Sequence, residues 1–172
     1  QTLANLRKEL KNAKNIGLFA KKTGVDPDYL ILLRREIEGY FPKPAPLREF
    51  GWLDKKQLTA LEDQGYKNSA LVFEALETHG KRSHVAARLG IDADFIDEIF
   101  CLVDLTRIQW ISPTAARMLY VAGYDSVKKV ARANAKELCE KVDQKNKEHG
   151  FFKGTIGLRD IERLVKAAKY VS

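Results

Sequence analysis

WISPTAARMLYVAGYDSV, Trp110 to Val127, is the stretch that decides the fold. Ser112 is a good N-cap, and Pro113 follows it in the first-turn slot that tolerates proline, so a helix starts here. Ala115, Ala116 and Leu119 recur at helical spacing, and Gly123 supplies the stop. A second short helix begins at DSVKKVARA. The pattern predicts two short helices joined by a glycine turn.

The same pattern occurs earlier in the chain. LREFGWLDKKQLTALEDQGYKNSALVFEAL, from Leu47, aligns without a gap on LTRIQWISPTAARMLYVAGYDSVKKVARAN, from Leu105, at an offset of 58 residues. Trp52/Trp110, Leu61/Leu119, Gly65/Gly123, Tyr66/Tyr124 and Val72/Val130 coincide. Upstream, AKKTGVDPDYLILL from Ala20 aligns on AARLGIDADFIDEI from Ala86 at an offset of 66. The difference of 8 is accounted for by one Pro-rich insert, GYFPKPAP, at 39–46. A duplication follows, and searching for repeats first is what exposes it.

Each copy has a readable plan. Gly24 and Gly90 end a helix, and Asp26 and Asp92 cap the next one. The Asp-x-Asp spacing resembles a metal-binding pair, but capping and the helix dipole explain both carboxylates. Beyond Asn134, AKELCEKVDQKNKEHG and LRDIERLVKAAKYV each carry an amphipathic helical pattern, and no segment alternates convincingly with a period of two. The expectation is an all-α chain of tandem duplicated helix-hairpin-helix-like units, a SAM-domain-like multi-helical bundle, completed by a C-terminal helix pair. The expected domains are 1–71, carrying the 39–46 insert, and 72–172.

Composition narrows the function classes. The 172 residues are 45% hydrophobic, enough for a real core, and contain no apolar run long enough for a membrane span. A cytoplasmic location is expected, and the missing initiator Met is compatible with a trimmed or excised chain whose leader has been removed. Net charge is +7, which invites a nucleic-acid reading. Divided at residue 71, the surplus is even, at +4 and +3, with no basic tail. Cys101 and Cys139 define no metal spacing, and Cys101 reads as a small buried hydrophobe. His79, His84 and His149 form no zinc pattern, so no metal or other cofactor is expected. With no nucleophile beside a base, no paired acid and no glycine-rich nucleotide loop, the chain is not read as an enzyme.

VAARLGIDADFIDEIFCLVDLTRIQWISPTAARMLYVAGYDSVKKVARAN, with the following AKELCEKVDQKN, resembles a bacterial family of unknown function related to helix-hairpin-helix proteins. The resemblance covers about Val85 to Val171 and rests on the DLTRI, AGYDSV and VARAN strings; the first half looks like a diverged copy. It implies a compact helical unit of the kind used for DNA or protein contact, with no catalytic residues to carry over. Where the family pattern has Gly-Ile-Gly, this chain has Trp110-Ile111-Ser112, and its first copy has Trp52-Leu53-Asp54.

That substitution bears on what the hairpin can hold. Unpaired backbone N–H groups at a helix start, aided by the dipole, bind phosphate, and glycines permit close approach. Asp54 would occupy those donors and repel phosphate, so the first hairpin is expected to be a poor grip. In the second, Ser112, Thr114 and Arg117, with Arg107, Lys128 and Lys129, are the candidate contacts to a DNA or RNA backbone. The structural alternative has Ser112 as a cap and both indoles plugging the core. The expected function is a non-catalytic binding module, for nucleic acid without sequence preference, or alternatively for a protein partner or self-association.

Overall fold

The computed structural model describes residues 3–171. These form eleven α-helices and a single 3₁₀ turn, with no strand beyond one isolated bridge between Pro46 and Asn68. The chain is all-α. It divides into two compact units, Gln1–Pro42 and Lys43–Ser172.

The first unit comprises α1 (Leu3–Glu9), α2 (Ala13–Thr23) and α3 (Pro27–Gly39). Leu10, Ile16, Ala20, Leu30 and Ile37 form its small core. The Arg7 guanidinium donates to both oxygens of Glu38 at 3.0 and 2.7 Å and lies 4.5 Å from the Phe41 ring. That fork geometry fixes α1 against the end of α3 more specifically than a lysine would.

The second unit begins with the 3₁₀ turn Leu47–Phe50, then α4 (Lys55–Asp63), α5 (Ser69–Leu76), α6 (His79–Leu89) and α7 (Ala93–Leu105). It continues with α8 (Pro113–Val121), α9 (Val127–Ala131), α10 (Ala135–His149) and α11 (Leu158–Ala168). One core runs through all of them, from Leu47 and Phe50 through Ile99 and Leu119 to Ala168. The division expected between residues 71 and 72 therefore falls inside a single core. The reason is tertiary: α5, from the first copy, packs against α6 and α7 of the second copy. Val72 and Leu76 are fully buried in that contact.

The two copies share their local hydrogen bonding. Asp54 accepts from Gln57 N as Ser112 accepts from Ala115 N. Tyr66 N donates to Leu61 O as Tyr124 N donates to Leu119 O, and Gly65 and Gly123 both have φ of 88°. Asp26 and Asp92 each accept from the N–H two residues on, and α3 and α7 both span 13 residues. Gly24 and Gly90 close the preceding helices in the left-handed conformation. These bonds recur at the offsets of 58 and 66 that the sequence carries.

The end of the insert is pinned. Ala45 N donates to Ser69 Oγ at 3.0 Å, Ser69 N donates to Ala45 O at 2.8 Å, and Leu47 N donates to Lys67 O. Together with the Pro46–Asn68 bridge they clasp the chain before the 3₁₀ turn to the start of α5.

Candidate nucleic-acid interface

The six residues expected to contact a phosphate backbone are placed very differently from one another. Arg107 follows α7, where its Nη1 donates to Asp104 Oδ1 at 2.8 Å and its guanidinium lies 4.0 Å from the Phe73 ring. Asp104 is buried, and its other oxygen accepts from Val127 N at 2.8 Å, capping α9 from across the unit. Arg107 thus belongs to a structural knot of α5, α7 and α9. Beyond it, Phe73 stacks on Phe100 with ring centroids 5.6 Å apart, and the Arg82 guanidinium lies 4.5 Å from the Phe100 ring. Arg82 in turn donates to Asp97 at 2.6 Å. The result is a cation–ring–ring–cation ladder with a carboxylate at each end.

Arg117 is also engaged within the chain. Its guanidinium lies 5.0 Å from the Trp52 ring and 5.1 Å from the Phe151 ring. It joins the first hairpin, α8 and the loop after α10, a role that keeps its planar face turned to aromatic rings. Lys129 pairs with Asp125 at 2.6 Å. Ser112 caps α8, as the structural alternative predicts. Thr114 and Lys128 are exposed. Three of the four expected cations therefore already have acidic or aromatic neighbours in the fold.

The indoles depart from expectation most clearly. Trp52 is partly buried against the main core and meets Phe50 at 5.7 Å. Trp110 plugs nothing: it is 69% exposed and has φ of +69°, the only non-glycine residue with positive φ among the described residues. Left-handed backbone at a bulky residue is a genuine outlier. It stands where the resembled family pattern carries glycine, the residue that takes this conformation without cost.

Beside Trp110 lies a cleft of about 760 Å³ that sequence reasoning did not anticipate. Its buried lining comes from three helices: Met118 and Leu119 of α8, Val142 of α10, and Ile161 and Leu164 of α11. Asp160 and Arg163, both exposed, line its α11 side. The loop between α10 and α11 is pinned by Asn146, a buried residue of α10 whose amide donates to Phe152 O at 2.9 Å and accepts from Phe152 N at 2.8 Å. The helical periodicity of 158–168 signalled an apolar face; that part of this face would border an open cleft had no signal in one sequence.

Charge is also less even than a division at residue 71 suggests. Residues 43–106 carry 8 Lys/Arg against 11 Asp/Glu, whereas residues 107–172 carry 14 against 7. Every residue lining the cleft belongs to that basic part. Cys101, expected to be buried, is only partly so. Burial, followed by the negative charges of Asp125, Asp97 and Asp104, pushes its thiol up to about 11. No helix among the described residues is long and apolar enough to cross a membrane.

A family model described as Domain of unknown function (DUF4332) matches residues 53–171. The chain belongs to this family. The matched stretch lies wholly within the second compact unit and includes α4 and α5, so the first hairpin is part of the family domain. No curated protein and no solved structure gave a match.

Proposed function

We propose that the chain is a non-catalytic binding module of helix-hairpin-helix descent, whose second hairpin has been turned from phosphate contact to protein contact. The exposure of Trp110 in a left-handed turn carries this reading. Strained, sparsely populated backbone costs about 1–3 kcal/mol and clusters at binding sites, and tryptophan is enriched where interfaces concentrate their energy. The placement of Arg107, Arg117 and Lys129 supports the same conclusion, because a cation held by a carboxylate or between rings must break that contact to reach a phosphate.

The test compares the intact chain with its Trp110→Gly variant as immobilised baits, after nuclease treatment of the applied extract. A protein held by the natural chain and lost with the variant is the expected result. Identical retention by both baits overturns the reading.

The basic surplus of residues 107–172 favours one second reading, contact with a DNA or RNA backbone through Ser112, Thr114 and Lys128. It requires retention on duplex or single-stranded nucleic acid whose affinity falls by about 0.7–0.9 logarithmic units per phosphate contacted for each tenfold rise in salt. A Thr114→Glu/Lys128→Glu chain should lose that retention. These positions are better probes than Arg117, whose replacement would also release Trp52 and Phe151.

A further inference from the structure

We infer that two copies of this chain associate through the outer face of α3, packed antiparallel so that Tyr29 of each copy meets Leu32 of the other. This surface is separate from the hairpin assigned to protein contact above. The internal duplication shows that a helix covers the equivalent face. At the offset of 66, α1–α3 repeats α5–α7, with Leu10 and Leu76 both fully buried. The cation–ring contact recurs with its members exchanged: Arg7 on Phe41 corresponds to Phe73 under Arg107, and Glu38 to Asp104 as the carboxylate. In the later block α8 packs on α7, and the carboxylates of Glu98 and Asp94 act on the Tyr120 hydroxyl of α8. Their counterparts on α3 are Leu32 and Asp28. Within the first unit, α1 and α2 pack on α3 with Leu30 and Ile37 buried in their shared core. Tyr29 and Leu32 are each 57% exposed, whereas Phe95, the match of Tyr29, is 7% exposed. A helix-covered face has thus been repeated as an open one, and its glutamate position has become leucine.

Size and charge select a second copy as the occupant. The unit Gln1–Pro42 has a core of five buried residues. Units of about 40 residues usually need a disulfide, a metal or oligomerisation to hold their fold. This one contains no Cys for a disulfide and no His or Cys for a structural metal. The flank of the stripe is self-complementary. Asp28 and Arg35, both exposed, lie two turns apart on one side of Tyr29 and Leu32. A twofold axis makes residue i meet j wherever j meets i. Crossing at Tyr29 and Leu32 therefore sets Asp28 of each copy beside Arg35 of the other.

Sedimentation equilibrium of the full-length chain from micromolar to millimolar concentration should show its average mass rising towards that of a dimer. Leu32→Glu, which installs the residue type that α7 carries at Glu98, should keep the helical signal and hold the chain monomeric. Asp28→Arg and Arg35→Asp should each weaken association about tenfold by setting like charges together. An equimolar mixture of those two variants should restore it, because the mixed pair regains both contacts. Trp110→Gly should leave the mass profile unchanged. A chain that stays monomeric throughout, or whose association survives Leu32→Glu, would overturn the inference. Association abolished by Trp110→Gly would move it to the second hairpin and overturn α3 as the site. A mixture no tighter than either reversed variant alone would overturn the antiparallel arrangement.

Discussion

Parallel replacement of the two tryptophans by glycine and by alanine reads the backbone at equivalent positions of the duplication. At Trp110 φ is +69°, and an L side chain in that region costs about 1–2 kcal/mol. Glycine escapes this cost but loses about 0.5–1 kcal/mol more than alanine in chain entropy on folding. Both variants delete the indole, so its packing cancels in the comparison. Trp110→Gly should therefore be more stable than Trp110→Ala by about 0.5–1 kcal/mol. At Trp52 φ is not positive, and the order inverts, with Trp52→Ala ahead of Trp52→Gly by about 0.4–1 kcal/mol. Urea denaturation of the four full-length variants, followed by helical circular dichroism, measures both differences as midpoint shifts at constant slope. The reasoning is refuted if Trp110→Ala equals or exceeds Trp110→Gly, or if both sites rank the two residues in the same order.

Four further outcomes are expected. Phe100→Ala removes the middle of the cation–ring ladder and leaves Arg82 and Phe73 without their shared surface; it should cost about 3 kcal/mol in denaturant titrations. Asp104→Asn weakens the acceptor of both Arg107 and Val127 N, for a loss of about 2 kcal/mol and faster amide exchange at Val127. Asn146→Ala abolishes two bonds to Phe152; about 2 kcal/mol should be lost, with exchange rising across 150–157. The Cys101 thiol, raised from 9.0 to about 11, should alkylate about a hundredfold more slowly than a thiol at its ordinary value near neutral pH, read by mass spectrometry of the modified peptide. Because the folded value is the higher one, its contribution to stability is complete below pH 9.0 and fades as pH rises towards about 11.

What the sequence made legible is local. Glycine stops at Gly24, Gly65, Gly90 and Gly123, and caps at Asp26, Asp54, Asp92 and Ser112, act within four residues of themselves. A single sequence carries that information, and the structure places them as read. What stayed hidden depends on partners distant along the chain. Arg117 meets rings at positions 52 and 151, and Arg107 meets one at 73; basic residues near a hairpin look identical whether or not such rings await them. The division at 71/72 followed the repeat, but burial follows contacts, and α5 crosses from one copy to the other. Trp110 is the harder case. Its neighbours repeat the bonding around Trp52, with Ile111 N donating to Ile108 O as Leu53 N donates to Phe50 O. The sign of one φ angle separates the copies, and because tryptophan replaces the pattern's glycine in both, no difference in residue type at that position records it.

The clasp between Ala45–Leu47 and Lys67–Ser69 alters how this domain should be cut. Similarity to the family starts at Leu53, yet Leu47 and Phe50 have no exposed surface at all. A fragment trimmed to the matched border would open two cavities and forfeit several kcal/mol, a large share of the 5–15 kcal/mol that holds a typical domain folded. Recombinant fragments begun at Lys43 keep both side chains and the bonds that anchor them, so borders drawn ten residues later would yield an insoluble preparation for reasons unrelated to function.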